Sequence, residues 1–463
     1  MAERKRPSFK CLILAAGMGR RMKSDIPKVV HPILGIPIIN YVLNAVYSLS
    51  PKDVFVVTGH RSELIQKELH GSPVKFVYQK EQLGTGHAVL SSRDHFKNYK
   101  GDILILNGDF PLIKSKTLKS LLRQHTENKC SVSVLTGEVE NPKGYGRIIR
   151  NSKGEVVGVV EEKDSSREQK KIREINSGAY FVDSKFLWDS LEKLSPANSQ
   201  KELYLPQIID IAYENKKKIG VKKLKDINEI LGVNTRGELV CAESYIRNEI
   251  NSALMVKGVT IIDPDSTFIS PNAKIAADTT IYPNTYIYGY SSIGSKCTIG
   301  PSVWIRDSAI GSGVNIRMNC FVEQARVKNN VVVGPFANIR PESVVEDNAK
   351  IGNFVELKKT RVGRGSKVPH LSYVGDATLG KDVNMGAGTI TCNYDGVNKN
   401  KTIIEDGVFI GSDTMLVAPV KVGKNATTGA GSTITKEVSE NALAIERSKQ
   451  IEIKNWKRPQ KKK

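Results

Sequence analysis

The sequence has no apolar run long enough to cross a bilayer. The first, Cys11–Ala16, follows a basic start (MAERKRPSFK) and holds six residues, too few for a membrane span and no match for a secretory signal. The longer stretch Ile33–Leu49 is interrupted by Gly35, Pro37, Asn40 and Asn44, and it predicts a helix of a soluble domain starting near Pro37. Paired cysteines are also missing. Cys11, Cys130, Cys241, Cys297, Cys320 and Cys392 are scattered without a C-x-x-C, which argues against a zinc site or a disulfide framework and for a reducing, cytoplasmic setting. Acidic residues are in deficit, 48 against 69 basic, leaving a net charge of +21. The excess is spread along the chain, its only dense cluster is the tail Lys454–Lys463, and no nucleic-acid motif accompanies it. Phosphorylated small molecules are the expected partners, with no nucleic acid and no membrane span.

At 463 residues, 40% hydrophobic and 25% charged, the chain is globular in composition and too long for one core. Its two halves follow different periods. Up to about residue 235, short apolar runs (Lys10–Ala16, Asp53–Thr58, Asp102–Leu106, Ser131–Leu135) alternate with turns and helical patterns. That alternation predicts an α/β domain with a mainly parallel sheet, whose ligands sit at the carboxyl ends of strands. A helical pattern from Arg236 to Ala253 reads as a connector. The expected domains are therefore 1–236, a helical linker 237–257, and 258–463.

Beyond the linker an isoleucine falls at every sixth position: Ile269, Ile275, Ile281, Ile287, Ile293, Ile299 and Ile305. The register slips by one, resumes at Ile310, and returns in further runs as far as Val422. Glycine often follows the aliphatic residue, as at Gly300 and Gly352. A six-residue aliphatic repeat marks a parallel β-helix, in which each repeat supplies one short strand and three repeats make a triangular coil. The segment Thr391–Lys401 (TCNYDGVNKNK) lacks the repeat aliphatic and predicts a loop extruded from a coil.

In the first half the run L-A-A-G-M-G-R-R-M, Leu14–Met22, is followed by Pro27-Lys28. Gly17 and Gly19 admit close approach of a phosphate chain, and Arg21 and Lys28 add positive charge. A dinucleotide fold would want a third glycine where Met22 stands, and a Walker lysine is absent. The run with its downstream P-K resembles the sugar-nucleotidyltransferase family. That resemblance implies a Rossmann-like nucleotidyltransferase domain and a nucleotide site containing Leu14, Ala15, Ala16, Gly17 and Lys28. It adds Gln79, Gly84 and Thr85, the last two within E-Q-L-G-T-G-H-A, as contacts to the base; a glutamine amide donates and accepts in one plane, which suits uracil. It assigns Asn107, Gly108 and Asp109 to the same site, Gly146, Glu161 and Asn176 to the sugar, and Asp109 with Asn234 to a magnesium ion. Asp and Asn are hard oxygen donors suited to Mg²⁺. Where that family usually has tyrosine before Gly-Asp, this chain has Asn107. The implied reaction is attack of a sugar-1-phosphate on the α-phosphorus of UTP, with charge neutralised by Mg²⁺, Arg21 and Lys28.

The second half holds one histidine, His370, in S-K-V-P-H-L-S-Y-V-G-D-A. Histidine is the side chain best suited to proton transfer near neutral pH. Arg340, Glu356, Lys358, Lys359, Tyr373 and Asn384 lie in flanking repeats, where a coil wall does not need them for packing. This half resembles the hexapeptide-repeat acyltransferases, whose β-helix is left-handed. Together with the TCNYDG loop and the terminal W-K-R-P-x-K-K-K, the whole chain resembles the bifunctional N-acetylglucosamine-1-phosphate uridylyltransferase/glucosamine-1-phosphate N-acetyltransferase family, which supplies precursors of bacterial peptidoglycan and lipopolysaccharide. The resemblance implies that His370 is the base that deprotonates the amine of glucosamine-1-phosphate, with Glu356 orienting it or stabilising its charge. Arg340 and Lys358 would hold the phosphate, with Tyr373 and Asn384 on the sugar. Ala387, Asn393, Tyr394, Ser412, Ala430 and Arg447 would bind acetyl-CoA, and the assembly would be a homotrimer. Two other readings stay open on sequence: a single-function sugar-1-phosphate nucleotidyltransferase with a structural β-helix, and a scaffold or nucleic-acid-binding protein, for which only the charge speaks.

Overall fold

The computed structural model describes residues 8–459 and 461, so the basic start at 1–7 and positions 460, 462 and 463 of the lysine tail lie outside the described residues. The chain divides into two compact units, Met1–Ile246 and Arg247–Lys463. Among the described residues no helix is long and apolar enough to cross a membrane. All six cysteines are free.

The first unit is built on a nine-stranded mixed sheet. Its strands are β1 (Phe9–Leu14), β2 (Val54–Thr58), β3 (Lys75–Tyr78), β4 (Asp102–Asn107), β5 (Val132–Glu138), β6 (Arg147–Arg150), β7 (Val156–Val160), β8 (Glu174–Asp183) and β9 (Ile219–Lys223). Spatial order is β9-β5-β8-β4-β1-β2-β3, with β6 and β7 attached beside β8. The four apolar runs expected as strands are β1, β2, β4 and β5, and their continuous hydrophobicity reflects burial on both faces. The expected helix near Pro37 runs Ile38–Tyr47. Neighbouring pairs among β1, β2, β3 and β4 are parallel, and β8 is antiparallel to β4 and β5. From β1 the chain builds outward through β2 and β3, then returns to lay β4 on the other side of β1. That reversal opens a crevice at the carboxyl ends of β1 and β4.

The second unit is a parallel β-helix with three walls of 11, 10 and 9 short strands. One residue of each repeat points inward and stacks on its equivalent one coil away. On the second wall the column runs Ile269, Ile287, Ile305, Val322, Ile339, Leu357 and Val374, each in register with the next. These side chains belong to one continuous apolar core, which has no edge to solvent along its length. The expected slips in register have one location. The five-residue steps Ile305–Ile310, Val322–Val327, Leu357–Val362 and Val374–Leu379 all fall between the second and third walls. Each such corner is tightened by a residue in the left-handed conformation: Asp307 (φ 46°), Gln324 (φ 45°), Lys359 (φ 48°) and Asp376 (φ 48°). The extruded loop begins later than the composition suggests. Thr391 sits inward in the strand Ile390–Cys392, opposite Leu416, and its buried hydroxyl accepts a 2.7 Å bond from the Gly375 N–H. A helix, Arg236–Val256, precedes the coils, and its last turns place Leu254 in the same apolar core.

Candidate active sites

In the first unit the crevice holds two adjoining cavities that share Leu14, Thr85, Asn107 and Asp109. The first, about 500 Å³, is lined by Leu14, Ala15, Ala16, Gly17, Lys28, Gln79, Gly84 and Thr85. The second, about 360 Å³, is lined by Arg21, Gly146, Glu161, Asn176 and Asn234. Every residue assigned to this site from sequence lies on one or the other, except Gly108. Its backbone instead ties the two strand ends together, donating to the Leu14 carbonyl at 2.8 Å.

Local chemistry explains the loop after β1. Gly17 has open space where a Cβ would stand, so a ligand can approach the backbone there. Gly19 is left-handed (φ 60°) and packs against the Lys28 side chain, which brings that lysine back over the crevice. The Lys28 ammonium forms an ion pair with Asp109 and donates to Asn234 Oδ1 at 2.9 Å. Oxygens from residues 125 positions apart thus converge on one cation, with Val233 N–H bonded to the Asp109 carbonyl at 3.1 Å to hold them together.

The second cavity is shaped by an irregularity in β8 between Asn176 and Tyr180. Asn176 Oδ1 accepts from the Tyr180 hydroxyl at 2.8 Å and from the Gly178 N–H at 3.2 Å. The Asn107 amide lies where a Cβ on Gly178 would stand, so the side chain found in place of the family's tyrosine covers this glycine. Glu161 is largely buried, and burial, helped by Asp164, pushes its carboxyl above the usual range. Arg147, fully buried, binds the Tyr145 carbonyl and Glu162 (2.6 Å) and so fixes the Gly144–Gly146 turn beside Glu161. Sequence reasoning missed Arg20, Gln82 and Glu202 in the first cavity and Tyr145 and Ser177 in the second. Arg20, Tyr145 and Ser177 each adjoin a residue named from sequence and Gln82 stands within E-Q-L-G-T-G-H-A, whereas Glu202 carries no such signal.

In the second unit His370 ends the strand Lys367–His370 on the first wall and is exposed. Its Nδ1 is 2.6 Å from Asn353 Oδ1, its register partner one coil below. An amide oxygen only accepts, so Nδ1 carries the proton and Nε2 presents a lone pair to solvent. Glu356 lies around the corner on the second wall and its carboxylate is bonded by Arg340 at 2.7 Å, so the side chain found bonded to His370 is Asn353. Tyr373 sits directly above Glu356 in register. Lys399 of the extruded loop lies near Lys358, whose side chain, by hydrogen bonding first and charge second, lowers the Lys399 ammonium's affinity for its proton, while Asp376 opposes that shift. Two neighbouring cations suit a phosphate, and Lys399 escaped sequence reasoning because the loop departs from the repeat.

The residues assigned to acetyl-CoA are also brought together. Asn353, His370, Ala387, Ser412 and Ala430 occupy equivalent positions in successive coils, each just before a left-handed or glycine corner residue. Asp413 N–H bonds the Ala387 carbonyl (2.7 Å) and Gly431 N–H the Ser412 carbonyl (2.8 Å), which fixes this edge. Arg447 lies beside Gly431 at its upper end. Ala430 is three coils above His370, about 14 Å at the usual strand spacing. Asn393 is instead buried and donates to Asp376, while Tyr394 is exposed on the loop. Asn384 pairs with Lys367 in the coil above His370.

Residues 11–203 match the family described as MobA-like NTP transferase domain, and residues 401–436 the bacterial transferase hexapeptide (six repeats). Over nearly the full length the chain is similar to proteins named bifunctional protein GlmU. It is 47% identical to that of Carboxydothermus hydrogenoformans, over 96% of this chain and 99% of that protein. Identity is 50% to that of Caldanaerobacter subterraneus, over 96% of both chains, and 50% to that of Thermosipho africanus, over 97% of both. The chain belongs to the bifunctional GlmU family. Membership in the GlmU family accounts for two unlike sites in one polypeptide, a nucleotidyl-transfer crevice in an α/β unit and a histidine on the edge of a β-helix.

Proposed function

We propose that the chain makes UDP-N-acetylglucosamine in two steps, acetylating glucosamine-1-phosphate in the β-helix and uridylylating the product in the α/β unit. The observation that carries this reading is the 2.6 Å contact between His370 Nδ1 and Asn353 Oδ1: with Nδ1 so engaged, Nε2 is free to take a proton. The amine of glucosamine-1-phosphate loses its proton to Nε2 as it attacks the thioester carbonyl of acetyl-CoA; the amide C–N bond forms and coenzyme A leaves as the thiol. Arg340, Lys358 and Lys399 hold the phosphate, and Tyr373 and Asn384 the sugar. Glu356 positions the Arg340 guanidinium. The cofactor arm lies along Ala387, Ser412 and Ala430 toward Arg447, with Asn393 and Tyr394 at the loop.

In the first unit UTP occupies the cavity of Gly17, Lys28, Gln79, Gly84 and Thr85, and N-acetylglucosamine-1-phosphate that of Gly146, Glu161 and Asn176. A sugar-phosphate oxygen attacks the α-phosphorus and pyrophosphate leaves, with Arg21 and Lys28 neutralising the charge. Nucleotide-sugar transfer of this kind is generally metal-dependent. Asp109 and Asn234 fit a magnesium ion, since their oxygens already converge on a cation, the Lys28 ammonium. When bound, the ion withdraws charge from phosphate oxygens.

Functionally the division is 1–236 for uridylyl transfer, 237–257 as linker and 258–463 for acetyl transfer. We assign the enzyme to the cytoplasm, where both co-substrates are made, and expect a homotrimer. Phe336, Phe354 and Leu371 support the trimer: all three are exposed by 45–61% at successive left-handed corners flanking His370. Bulky side chains are unfavourable in that conformation, and burial against a second copy gives them a use. The purified chain, given acetyl-CoA, glucosamine-1-phosphate, UTP and Mg²⁺, should yield coenzyme A, pyrophosphate and UDP-N-acetylglucosamine. Pyrophosphate release from UTP when N-acetylglucosamine-1-phosphate is supplied, without any acetyl transfer, would reduce the β-helix to a structural part.

A further inference from the structure

We propose that His87 determines which pyrimidine the first unit accepts, acting through Gln79 without touching the nucleotide; this rests on the reading of Gln79 as the base contact. Gln79 follows β3, lines the first cavity and is 2% exposed. Its side-chain nitrogen lies 3.0 Å from His87 Nδ1 and 3.4 Å from the Gly84 carbonyl oxygen. A backbone carbonyl only accepts, so the group facing it is the NH₂. An NH₂ only donates, so His87 Nδ1 must offer a lone pair and the imidazole proton must sit on Nε2. Both amide hydrogens are then engaged by the protein. Among the described residues no donor reaches the remaining Oε1, which leaves an acceptor for the ligand.

The orientation has a chemical consequence. Uracil presents an N3–H donor between two carbonyl oxygens, whereas cytosine presents an N3 lone pair. A fixed acceptor opposite N3 attracts the first and repels the second. A glutamine amide turns readily about its last torsion, and turned over it would favour cytosine. Gly84 opposes that turn from 3.4 Å, a weak contact; His87, at 3.0 Å, is the stronger restraint. His87 is therefore a positioning residue, on the helix Thr85–Leu90, one turn from the loop that holds Gly84.

The test is the ratio of kcat/KM for UTP to that for CTP, with N-acetylglucosamine-1-phosphate as acceptor. His87→Leu should lower this ratio about tenfold, the worth of one hydrogen bond at the upper end of its usual range. His87→Asn returns an acceptor to nearly the place of Nδ1 and should restore the ratio to within about threefold of the parent. Gln79→Leu separates the proposal from the reading beneath it. If Gln79→Leu lowers the ratio and His87→Leu does not, His87 has no such role. If Gln79→Leu leaves the ratio unchanged, the base contact is misassigned and the proposal falls with it. Should His87→Leu fail to fold, nitrogen NMR of the parent imidazole decides. The Nε2–H tautomer is expected, and an Nδ1–H tautomer overturns the proposal.

Discussion

Asp210 packs beneath Gly158 and Val159 of β7, where burial pushes its carboxyl up to about 6 from the ordinary 3.8, and hydrogen bonds from the Val159 and Asp210 backbone offset only part of that. In the unfolded chain this group ionises near its ordinary value, so between about pH 4 and 6 the folded state binds the extra proton. Stability therefore falls as pH rises through that window and stays lower above it. Asp210→Asn removes the charge, keeps an acceptor, and should stabilise the first unit by roughly 1–2 kcal/mol at pH 8, discounting the full shift for partial exposure. The gain should vanish near pH 4; thermal melts of both proteins across that range check it. A different group of side chains looks catalytic and is not. Ser133, His125 and Asp102 form a hydrogen-bonded series (2.9 and 3.2 Å), yet Ser133 is fully buried and no substrate can reach it. At the proposed acetyl site the histidine was legible in sequence because it stands alone among polar residues on a coil wall. Its partner was not, because Asn353 lies one coil earlier, and coil length depends on corners that shorten some coils by one residue.

At the scale of elements, the repeat spells out the β-helix because each coil must place an aliphatic residue inward at every wall. The one-residue slips were legible, but their gathering at a single corner was not, since a left-handed Asp, Gln or Lys looks like any polar turn residue. In the first unit the buried strands were legible as apolar runs, but the irregularity in β8 that presents Asn176, Ser177 and Gly178 to the second cavity carries no periodic signal. The glycines after the inward aliphatics have a packing reason that can be tested. At Gly352, one residue before Asn353, a Cβ would collide with the carbonyl of Pro369 on the strand that ends in His370. Gly352→Ala should push that strand off its neighbour and disturb the Asn353–His370 bond, lowering acetyl transfer at least tenfold, since small misplacements of a catalytic group are costly. Uridylyl transfer should stay within about twofold, and assays of the two half-reactions on the same preparation compare them directly.

At the scale of the whole molecule, the two proposed chemistries share no residue. The nucleotidyl crevice uses strand ends of an α/β sheet, and the acetyl site uses one edge of a solenoid. The exposed ridge of Phe336, Phe354 and Leu371 beside His370 predicts that acetyl transfer needs more than one copy. Sedimentation at assay concentration should give a trimer, and an active monomer would contradict the shared edge. Independence of the two chemistries is the central claim, and paired substitutions test it most directly. Asp109→Ala removes the carboxylate that meets Lys28 and should reduce uridylyl transfer by at least about a hundredfold, leaving acetylation near the parent rate. His370→Ala should do the reverse, costing about 10²–10⁴-fold in acetyl transfer, mostly in kcat, while uridylylation of supplied N-acetylglucosamine-1-phosphate is unchanged. Mirror-image losses in folded protein are the predicted result. Equal loss of both activities in either variant, or acetylation by His370→Ala within a few-fold of the parent, would contradict it.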